Sequence, residues 1–458
     1  SRLNINVKNN FKKEIFMRAV IMAGGKGSRL ASLTRDEIPK PMVAVRGKPL
    51  LEWQLEELKK YGITDITMII GHLGHKITEY FGDGKDFGCE IDYIIEKEAL
   101  GTAGAFYYLK ERLEKEKQGD KAEAGYFMLV FGDVFFDIDL NKMIEFHLKK
   151  SSKATLFVHP NSHPFDSDLV EVDENDRVLK FDSKNNVRDY WYDNLVNAGL
   201  YILDNSICDK VKQPVKTDFE KEILAVMAEE NEEIYAYKSP EFVKDVGTVE
   251  RIEATVRDIE SGFINSKNLS HRQRAVFLDR DGTLNVFKGL VYKEEEFELE
   301  EGAVEAVRLI NQSGLLAVVV TNQPVVARGL CEIEDVEAIH KKLSTLLGRE
   351  GVFLDAIYFC PHHPDKGYPE ENPAYKISCK CRKPEGGMAK EAADRYNIDF
   401  EASYMLGDTT IDIEFARRLG MKSVLVRTGE GGLDGKFKVE PDLDAGNVLE
   451  AVKMILGK

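Results

Sequence analysis

Three stretches of this chain concentrate residues whose types and spacing suit phosphate chemistry. In FLDRDGTLN (277–285) an apolar run ends in Asp-x-Asp-Gly-Thr. Residues two apart in an extended segment point the same way, so Asp279 and Asp281 can face one phosphate, and Gly282 permits the sharp turn that follows. In AVIMAGGKGSRL (19–30) a Gly-rich loop directly follows an apolar run. Gly24, Gly25 and Gly27 let the backbone approach phosphates with N–H groups pointing inward, and Lys26 and Arg29 add positive charge. The string matches neither a Walker A loop nor GxGxxG, so its surroundings must decide its meaning. The third stretch holds Cys360, His362, Cys379 and Cys381, spaced C-x-H-x16-C-x-C. Three thiolates and an imidazole suit a closed, tetrahedral Zn²⁺ site, with His363 the competing nitrogen ligand. That segment is proline-rich and poor in apolar residues, so a metal staple would order it better than burial could. Four protein ligands leave no open coordination position, which makes the zinc structural. Cys381 lies two residues before Lys383, so the metal would also help to position that lysine.

The elements needed to hold these residues follow from the apolar pattern. RAVIMA (18–23), DITMIIG (65–71), YFMLVFGD (126–133) and ATLFVH (154–159) read as buried strands, and PLLEWQLEELKKYGI (49–63) has helical spacing. The rhythm breaks at DIESGFINSKNLSHRQR (258–274) and restarts with strands at AVFLD (275–279), LLAVVVTN (315–322), SYMLGD (403–408) and KSVLVRTG (422–429), with a helix over 301–314. This alternation predicts an α/β protein of two domains, each a Rossmann-like, mostly parallel sheet with helices on both faces: a tail at 1–16, a first domain at 17–257, a linker at 258–274 and a second domain at 275–458. The tail is polar and unpatterned, and Met17 is a candidate natural start. The length of 458 residues accommodates such domains. Lys and Arg number 63 against 79 Asp and Glu, a formal charge of −16, which disfavours nucleic acid as a partner while leaving nucleotide phosphates open to local cations and Mg²⁺. No apolar run of about 18 residues exists to span a membrane. The six cysteines fit a reducing cytoplasm with one metal site better than a disulfide framework.

Several motifs in the first half occur in an order that resembles the sugar-1-phosphate nucleotidylyltransferase family: AGGxGxRL, then EIPKPMVAV (37–45), GKPLLEWQLEEL (47–58), ALGTAGA (99–105), VFGD (130–133), VNAGLYIL (196–203) and FVKDVGTVERIEA (242–254). The resemblance implies an attack by a sugar 1-phosphate oxygen on the α-phosphorus of a nucleoside triphosphate, releasing pyrophosphate. It assigns Mg²⁺ to Asp133 and Asp245, phosphate contacts to Arg29, Lys26 and Lys40, the base loop to Gly101 and Thr102, and the sugar side to Asn197. The family shows Phe-x-Glu-Lys before the sugar strand. KFDSKNN (180–186) supplies Lys184 for the lysine but Ser183 for the glutamate, which points away from glucose-type hydroxyl recognition. LVFGDVFFDIDL (129–140) is similar to the heptose 1-phosphate guanylyltransferase branch, making GTP the implied donor.

The second half resembles the haloacid dehalogenase phosphatases. On that resemblance Asp279 attacks phosphorus to form an aspartyl-phosphate, and Asp281 protonates the leaving alcohol and then activates water. VVVTNQ (318–323) supplies Thr321 and Asn322, CRKP (381–384) supplies Arg382 and Lys383, and MLGDTTIDIEFA (405–416) supplies Asp408, with Asp412 as a ligand or a neighbour of the ligands. Mg²⁺ would lie on Asp279, Asp281 and Asp408. The stretch between Thr283 and Thr321 is too short for a helix and an inserted cap domain, so a capless enzyme is expected. Capless phosphatases with a Cys/His loop fall into heptose 1,7-bisphosphate and histidinol-phosphate groups. CPHHP, CRKP and GGM (386–388) lean to the heptose group, while Pro324 and Val325 replace its Ser-Gly. Together the halves imply a bifunctional enzyme of GDP-heptose formation, acting on small sugar phosphates and a nucleoside triphosphate. The alternative at this stage is a mannose 1-phosphate guanylyltransferase joined to another sugar phosphatase or a histidinol-phosphate phosphatase.

Overall fold

The computed structural model describes residues 3–4, 14–15, 17–25, 37–116, 125–367 and 370–458. The chain divides into two compact units. The first comprises Ser1–Val158, Val170–Asp182 and Asn197–Asn268, and the second His159–Leu169, Ser183–Val196 and Leu269–Lys458. The polar break is largely helical, and the division falls inside it.

In the first unit β1 (Arg18–Ala23), β2 (Asp65–Ile70), β3 (Glu90–Ile95) and β4 (Tyr126–Phe131) lie parallel, in the order β4-β1-β2-β3. Their near-continuous apolar runs are what a strand covered on both faces requires. The sheet is mixed rather than mostly parallel, because Val196–Asp204 joins β4 antiparallel, with Leu200 opposite Val130. The order reverses beside β1, so Gly24 and Gly25 after β1 and the turn after β4 lie at one crevice at the carboxyl ends of the strands. A two-stranded ribbon, Val134–Asp137 against Phe242–Asp245, lies immediately beyond.

In the second unit six strands are all parallel. Ala275–Leu278 is central, flanked on one side by Leu316–Asn322 and Ala356–Cys360, and on the other by Tyr404–Gly407, Lys422–Val426 and Leu443–Ala445. Every residue of the central strand is buried. Between it and Leu316–Asn322 stand only a short 3-10 turn and the helix Ala303–Ser313 among the named elements, with no inserted domain. The order reverses at the central strand, so Asp279, Thr321 and Asp408 converge at one edge. Two stretches from the first half of the sequence pack into this unit, an arrangement the linear pattern does not foresee. Trp191 Nε1 donates to Glu294 at 2.7 Å, Lys342 and Arg349 lie over its ring at 5.4 and 5.3 Å, and Tyr192 exchanges backbone bonds of 2.9 and 3.0 Å with the Thr345 hydroxyl.

The helix Leu50–Lys60 turns Leu50, Leu51, Leu55 and Leu58 inward, and takes Glu57 with them. Glu57 pairs with Lys60, but its Oε2 is buried with no hydrogen-bond partner among the described residues. Burial, reinforced by the nearby Asp137 charge, pushes the Glu57 carboxyl up to about 7 from 4.5. Between those values the native state holds more protons than the unfolded chain, so stability falls as pH rises through the window, and the full cost stands above it. Glu57→Gln is expected to raise the unfolding temperature of the first unit by roughly 2–6 °C at pH 8 and to leave it nearly unchanged at pH 4.5, read by differential scanning calorimetry.

Candidate active sites

In the second unit, Asp279 follows the central strand, its amide bonded to Leu406 O at 2.9 Å. Its Oδ1 accepts from Lys383 Nζ at 2.9 Å and from the Arg280 amide at 2.8 Å. Lys383 Nζ also donates to Asp412 Oδ1 at 2.6 Å. Asp412 sits in the first turn of the helix Thr410–Leu419, where its Oδ2 accepts from Thr409 Oγ1 at 2.6 Å in a capping box. Asp408 Oδ2 accepts from the Glu430 amide at 2.7 Å. Gly282 has φ +75°, and a Cβ there would overlap the Asp408 carboxylate, so only glycine fits this turn. The oxygens of Asp279, Asp408 and Asp412 lie within 4.8 Å of one another, and all three residues are buried. Three carboxylates share one ammonium. Burial and mutual repulsion push Asp279 up to about 6 and Asp408 up to about 8, although Lys383 opposes both shifts. Such a set of hard oxygen donors with uncompensated charge fits a divalent cation.

The side-chain oxygens of Asp281, expected among the metal ligands, lie outside this group, while those of Asp412, expected as a ligand or a neighbour of the ligands, lie within it. The Asp281 carboxylate is held instead by Arg280 Nη2 at 3.0 and 2.9 Å, by Gln323 Nε2 at 2.7 Å and by Asn285 Nδ2 at 3.1 Å. Thr321 Oγ1 accepts from Gln323 Nε2 at 2.9 Å. Asn322 clamps the Lys383 backbone, donating to its carbonyl at 3.1 Å and accepting from its amide at 2.9 Å. Asp279, Asp281, Thr321, Arg382, Lys383 and Asp408 all line one cleft.

The four Cys/His ligand atoms also converge within 4.8 Å. Cys360–Cys379, Cys360–Cys381 and Cys379–Cys381 Sγ separations are 3.4, 3.2 and 3.1 Å, and His362 Nδ1 is 3.6 Å from Cys360 Sγ and 3.3 Å from Cys381 Sγ. These spacings far exceed an S–S bond and form a compact polyhedron that could hold one metal ion. His363 stays outside, its Nδ1 accepting from the Asp365 amide at 3.2 Å. Cys360 is registered opposite Asn322 in the sheet, and Arg382 donates through Nη1 to His362 O at 3.1 Å. The cluster therefore ties the sheet edge to the Arg382–Lys383 loop.

In the first unit, Lys40 opens a 3-10 turn and is ion-paired with Asp133. Asp245 pairs across the ribbon with Val134, Val246 N donates to Asp133 O at 2.8 Å, and Arg251 is ion-paired with Asp245. Asp133 and Asp245 are thus neighbours at the crevice, each matched by a cation. Asn197 lies at the same strand end as Asp133, its Nδ2 donating to Glu220 Oε1 and Tyr201 Oη, both at 2.9 Å. Gly101 forms a bridge to Thr217, and the Phe219 amide donates to Thr102 Oγ1 at 2.7 Å, joining the Gly101–Thr102 loop to the Glu220 segment. Gly24 packs so tightly against Glu96 that a Cβ would overlap its carboxylate. Gly25 is exposed beside it, and Lys26, Gly27 and Arg29 lie outside the described residues. Lys184, expected at the sugar phosphate, is exposed on a stretch that belongs to the second unit, where its amide donates to Asp168 at 3.0 Å. Sequence reasoning missed Glu96, Glu220, Arg251, Arg280 and Gln323. Arg280 and Gln323 had a signal, being next to singled-out residues, and Arg251 lies within the motif FVKDVGTVERIEA (242–254).

These are two sites for phosphorus chemistry on one chain, a nucleotidyltransferase and a phosphomonoester hydrolase. Residues 18–262 match the family model described as Nucleotidyl transferase, and the chain belongs to that family. Residues 380–451 match the model described as HAD-hydrolase-like. The D-glycero-beta-D-manno-heptose-1,7-bisphosphate 7-phosphatase of Yersinia pestis is 43% identical over 158 residues, 34% of this chain and 81% of that protein. That of Haemophilus ducreyi is 38% identical over 185 residues, 40% of this chain and 98% of that protein. The second unit belongs with these phosphatases. The solved structure of HddC from Yersinia pseudotuberculosis is 26% identical, covering 53% of this chain and 99% of that one, with a TM-score of 0.45.

Because the Cys/His cluster carries the loop that places Lys383, its loss should be felt at the phosphatase site and not at the other. Cys379→Ser is expected to lose about one equivalent of zinc by elemental analysis and at least about 10-fold in phosphatase kcat, with nucleotidyl transfer unchanged.

Proposed function

We propose that this chain makes a GDP-activated heptose in two steps: its second unit removes the 7-phosphate from a heptose 1,7-bisphosphate, and its first unit transfers a guanylyl group from GTP to the resulting heptose 1-phosphate. The observation that carries the reading is the match to heptose 7-phosphatases across 81–98% of their lengths, with the Asp279–Lys383–Asp408 cluster assembled. The phosphatase product is then a sugar 1-phosphate, the class of substrate that a nucleotidyltransferase on the same chain consumes.

In the phosphatase, Asp279 Oδ1 is held by Lys383 and the Arg280 amide, which presents Oδ2 to the phosphorus. Attack forms an aspartyl-phosphate while Asp281 gives a proton to the departing sugar oxygen. Asp281 then takes a proton from the water that hydrolyses the intermediate. Lys383, Thr321, Asn322 and Arg382 surround the phosphoryl oxygens. Asp279, Asp408 and Asp412 would hold Mg²⁺, which supplies positive charge against the phosphoryl group. Zinc on Cys360, His362, Cys379 and Cys381 would be structural.

In the nucleotidyltransferase two anions must meet and pyrophosphate must leave, so the task is charge neutralisation more than acid–base work. Asp133 and Asp245 would hold Mg²⁺, and Lys40 and Arg251 stand ready to turn from those carboxylates to phosphate. Lys26 and Arg29 serve the triphosphate, Gly101 and Thr102 the base, and Asn197 the sugar side. Glu96 supports guanine. Its half-buried carboxylate lies against Gly24 with Oε1 accepting from the Leu100 amide at 3.3 Å. A carboxylate there accepts the adjacent N1–H and N2 amino donors that guanine alone presents together.

Heptose 1,7-bisphosphate incubated with each nucleoside triphosphate, followed by mass spectrometry, should give GDP-heptose and no ADP-, UDP- or CDP-sugar. Asp279→Asn is expected to lower phosphatase turnover at least about 10³-fold and to keep guanylyl transfer to heptose 1-phosphate, with Asp133→Asn doing the reverse. A different nucleotide product, or one substitution silencing both reactions in folded protein, overturns the assignment.

A further inference from the structure

Arg280, between the two aspartates of the phosphatase motif, is the largest fully buried side chain among the described residues. A guanidinium out of water must spend its N–H donors on protein groups or be strongly destabilising. Its Nη2 reaches both oxygens of Asp281, Gln323 Oε1 at 3.0 Å and Val291 O at 3.4 Å. Among the described residues its Nη1 has a single partner, Nε2 of His340 at 3.3 Å, and its Nε has none, so the His340 contact is the one that anchors the end of the guanidinium away from Asp281. His340 comes from the helix Ile333–Arg349 and is itself buried, packed edge-on against Phe359 with ring centroids 5.1 Å apart. Arginine only donates, so Nε2 must be the lone-pair nitrogen, and His340 is neutral with its proton on Nδ1. Burial and the adjacent guanidinium keep it so, holding its pKa well below 6.5.

The same logic fixes Gln323. Its Oε1 accepts from Arg280, so its amide nitrogen must be the group that donates to Asp281 Oδ2 at 2.7 Å and to Thr321 Oγ1 at 2.9 Å. Asp281 is thus held by a chain of bonds with one outcome. His340 sets the plane of the guanidinium, the guanidinium sets the carboxylate and the amide, and the amide joins the carboxylate to Thr321. Without an acceptor at position 340, Nη1 becomes a buried orphan donor, and the guanidinium is free to rotate toward another carbonyl.

We propose that His340 is a positioning residue for the phosphatase reaction, acting through Arg280 to aim Asp281 at the departing sugar oxygen. The proposal rests on the reading of Asp281 as the proton donor and goes beyond it by naming the buried group that orients that donor.

The test compares substrates that do and do not need the proton. An alkyl phosphate such as heptose 1,7-bisphosphate requires protonation of its leaving oxygen, whereas p-nitrophenyl phosphate releases a stable anion. His340→Phe keeps a buried ring and removes the acceptor. It is expected to lower kcat/KM for the heptose substrate about 10- to 100-fold through kcat, and to change kcat/KM for p-nitrophenyl phosphate by less than about 3-fold. His340→Gln, whose amide oxygen can accept from Arg280, should restore most of the loss. If His340→Phe does not fold, Arg280→Lys, which keeps a buried cation but cannot span His340, Gln323 and Asp281 together, should show the same selective loss. Equal losses on both substrates, or no loss on either, overturn the proposal. Wild-type protein that hydrolyses neither substrate overturns the phosphatase reading instead.

Discussion

Three carboxylates and one ammonium buried at the edge of a parallel sheet are the constraint around which the second unit is organised. Asp279, Asp408 and Asp412 would repel one another without Lys383, and with it they still carry excess negative charge. Removing one partner from such a group leaves an unpaired buried charge, so each must be fixed from a separate direction. The central strand places Asp279, the strand Tyr404–Gly407 places Asp408, and the first turn of Thr410–Leu419 places Asp412. Lys383 has no regular element of its own. It is held by Asn322 through two backbone bonds and by the Cys/His cluster two residues upstream. A metal in that cluster would stand in for the secondary structure that the proline-rich loop lacks.

The first unit meets a similar electrostatic problem with a looser arrangement. Lys40–Asp133 and Arg251–Asp245 are partly exposed pairs, of the kind that contribute little to stability. That weakness suits them, because their partners can change when a triphosphate and a metal arrive. The two units differ in how permanently charge is locked in place: one keeps its cations on its own carboxylates until substrate arrives, while the other keeps Lys383 on Asp279 as part of the fold.

The apolar runs made the strands and the two α/β sheets legible, because a strand covered on both faces must be apolar throughout. The motifs at strand ends were legible for the same reason: Asp279, Thr321 and Asp408 follow buried runs that can go nowhere else. The Cys/His cluster was legible because few alternatives explain four soft ligands at that spacing. What escaped were partners chosen by three-dimensional proximity. Asp281 bonds sideways to Gln323 and Asn285 instead of joining the acidic cluster, which depends on how the turn after Gly282 is wound. Glu96 and Glu220 meet the crevice from elements with no motif of their own. The antiparallel strand Val196–Asp204 converts the sheet from parallel to mixed through pairing, which leaves no mark on a buried apolar run.

The stretches His159–Leu169 and Ser183–Val196 lie inside the first half of the sequence yet fold into the second unit. Trp191 and Tyr192 are there fastened to Glu294 and Thr345. The gene is therefore not a simple tandem of two interchangeable cassettes. Splitting it at the polar break near 258–274 would strip the aromatic pair from the helix it covers and expose both faces to solvent.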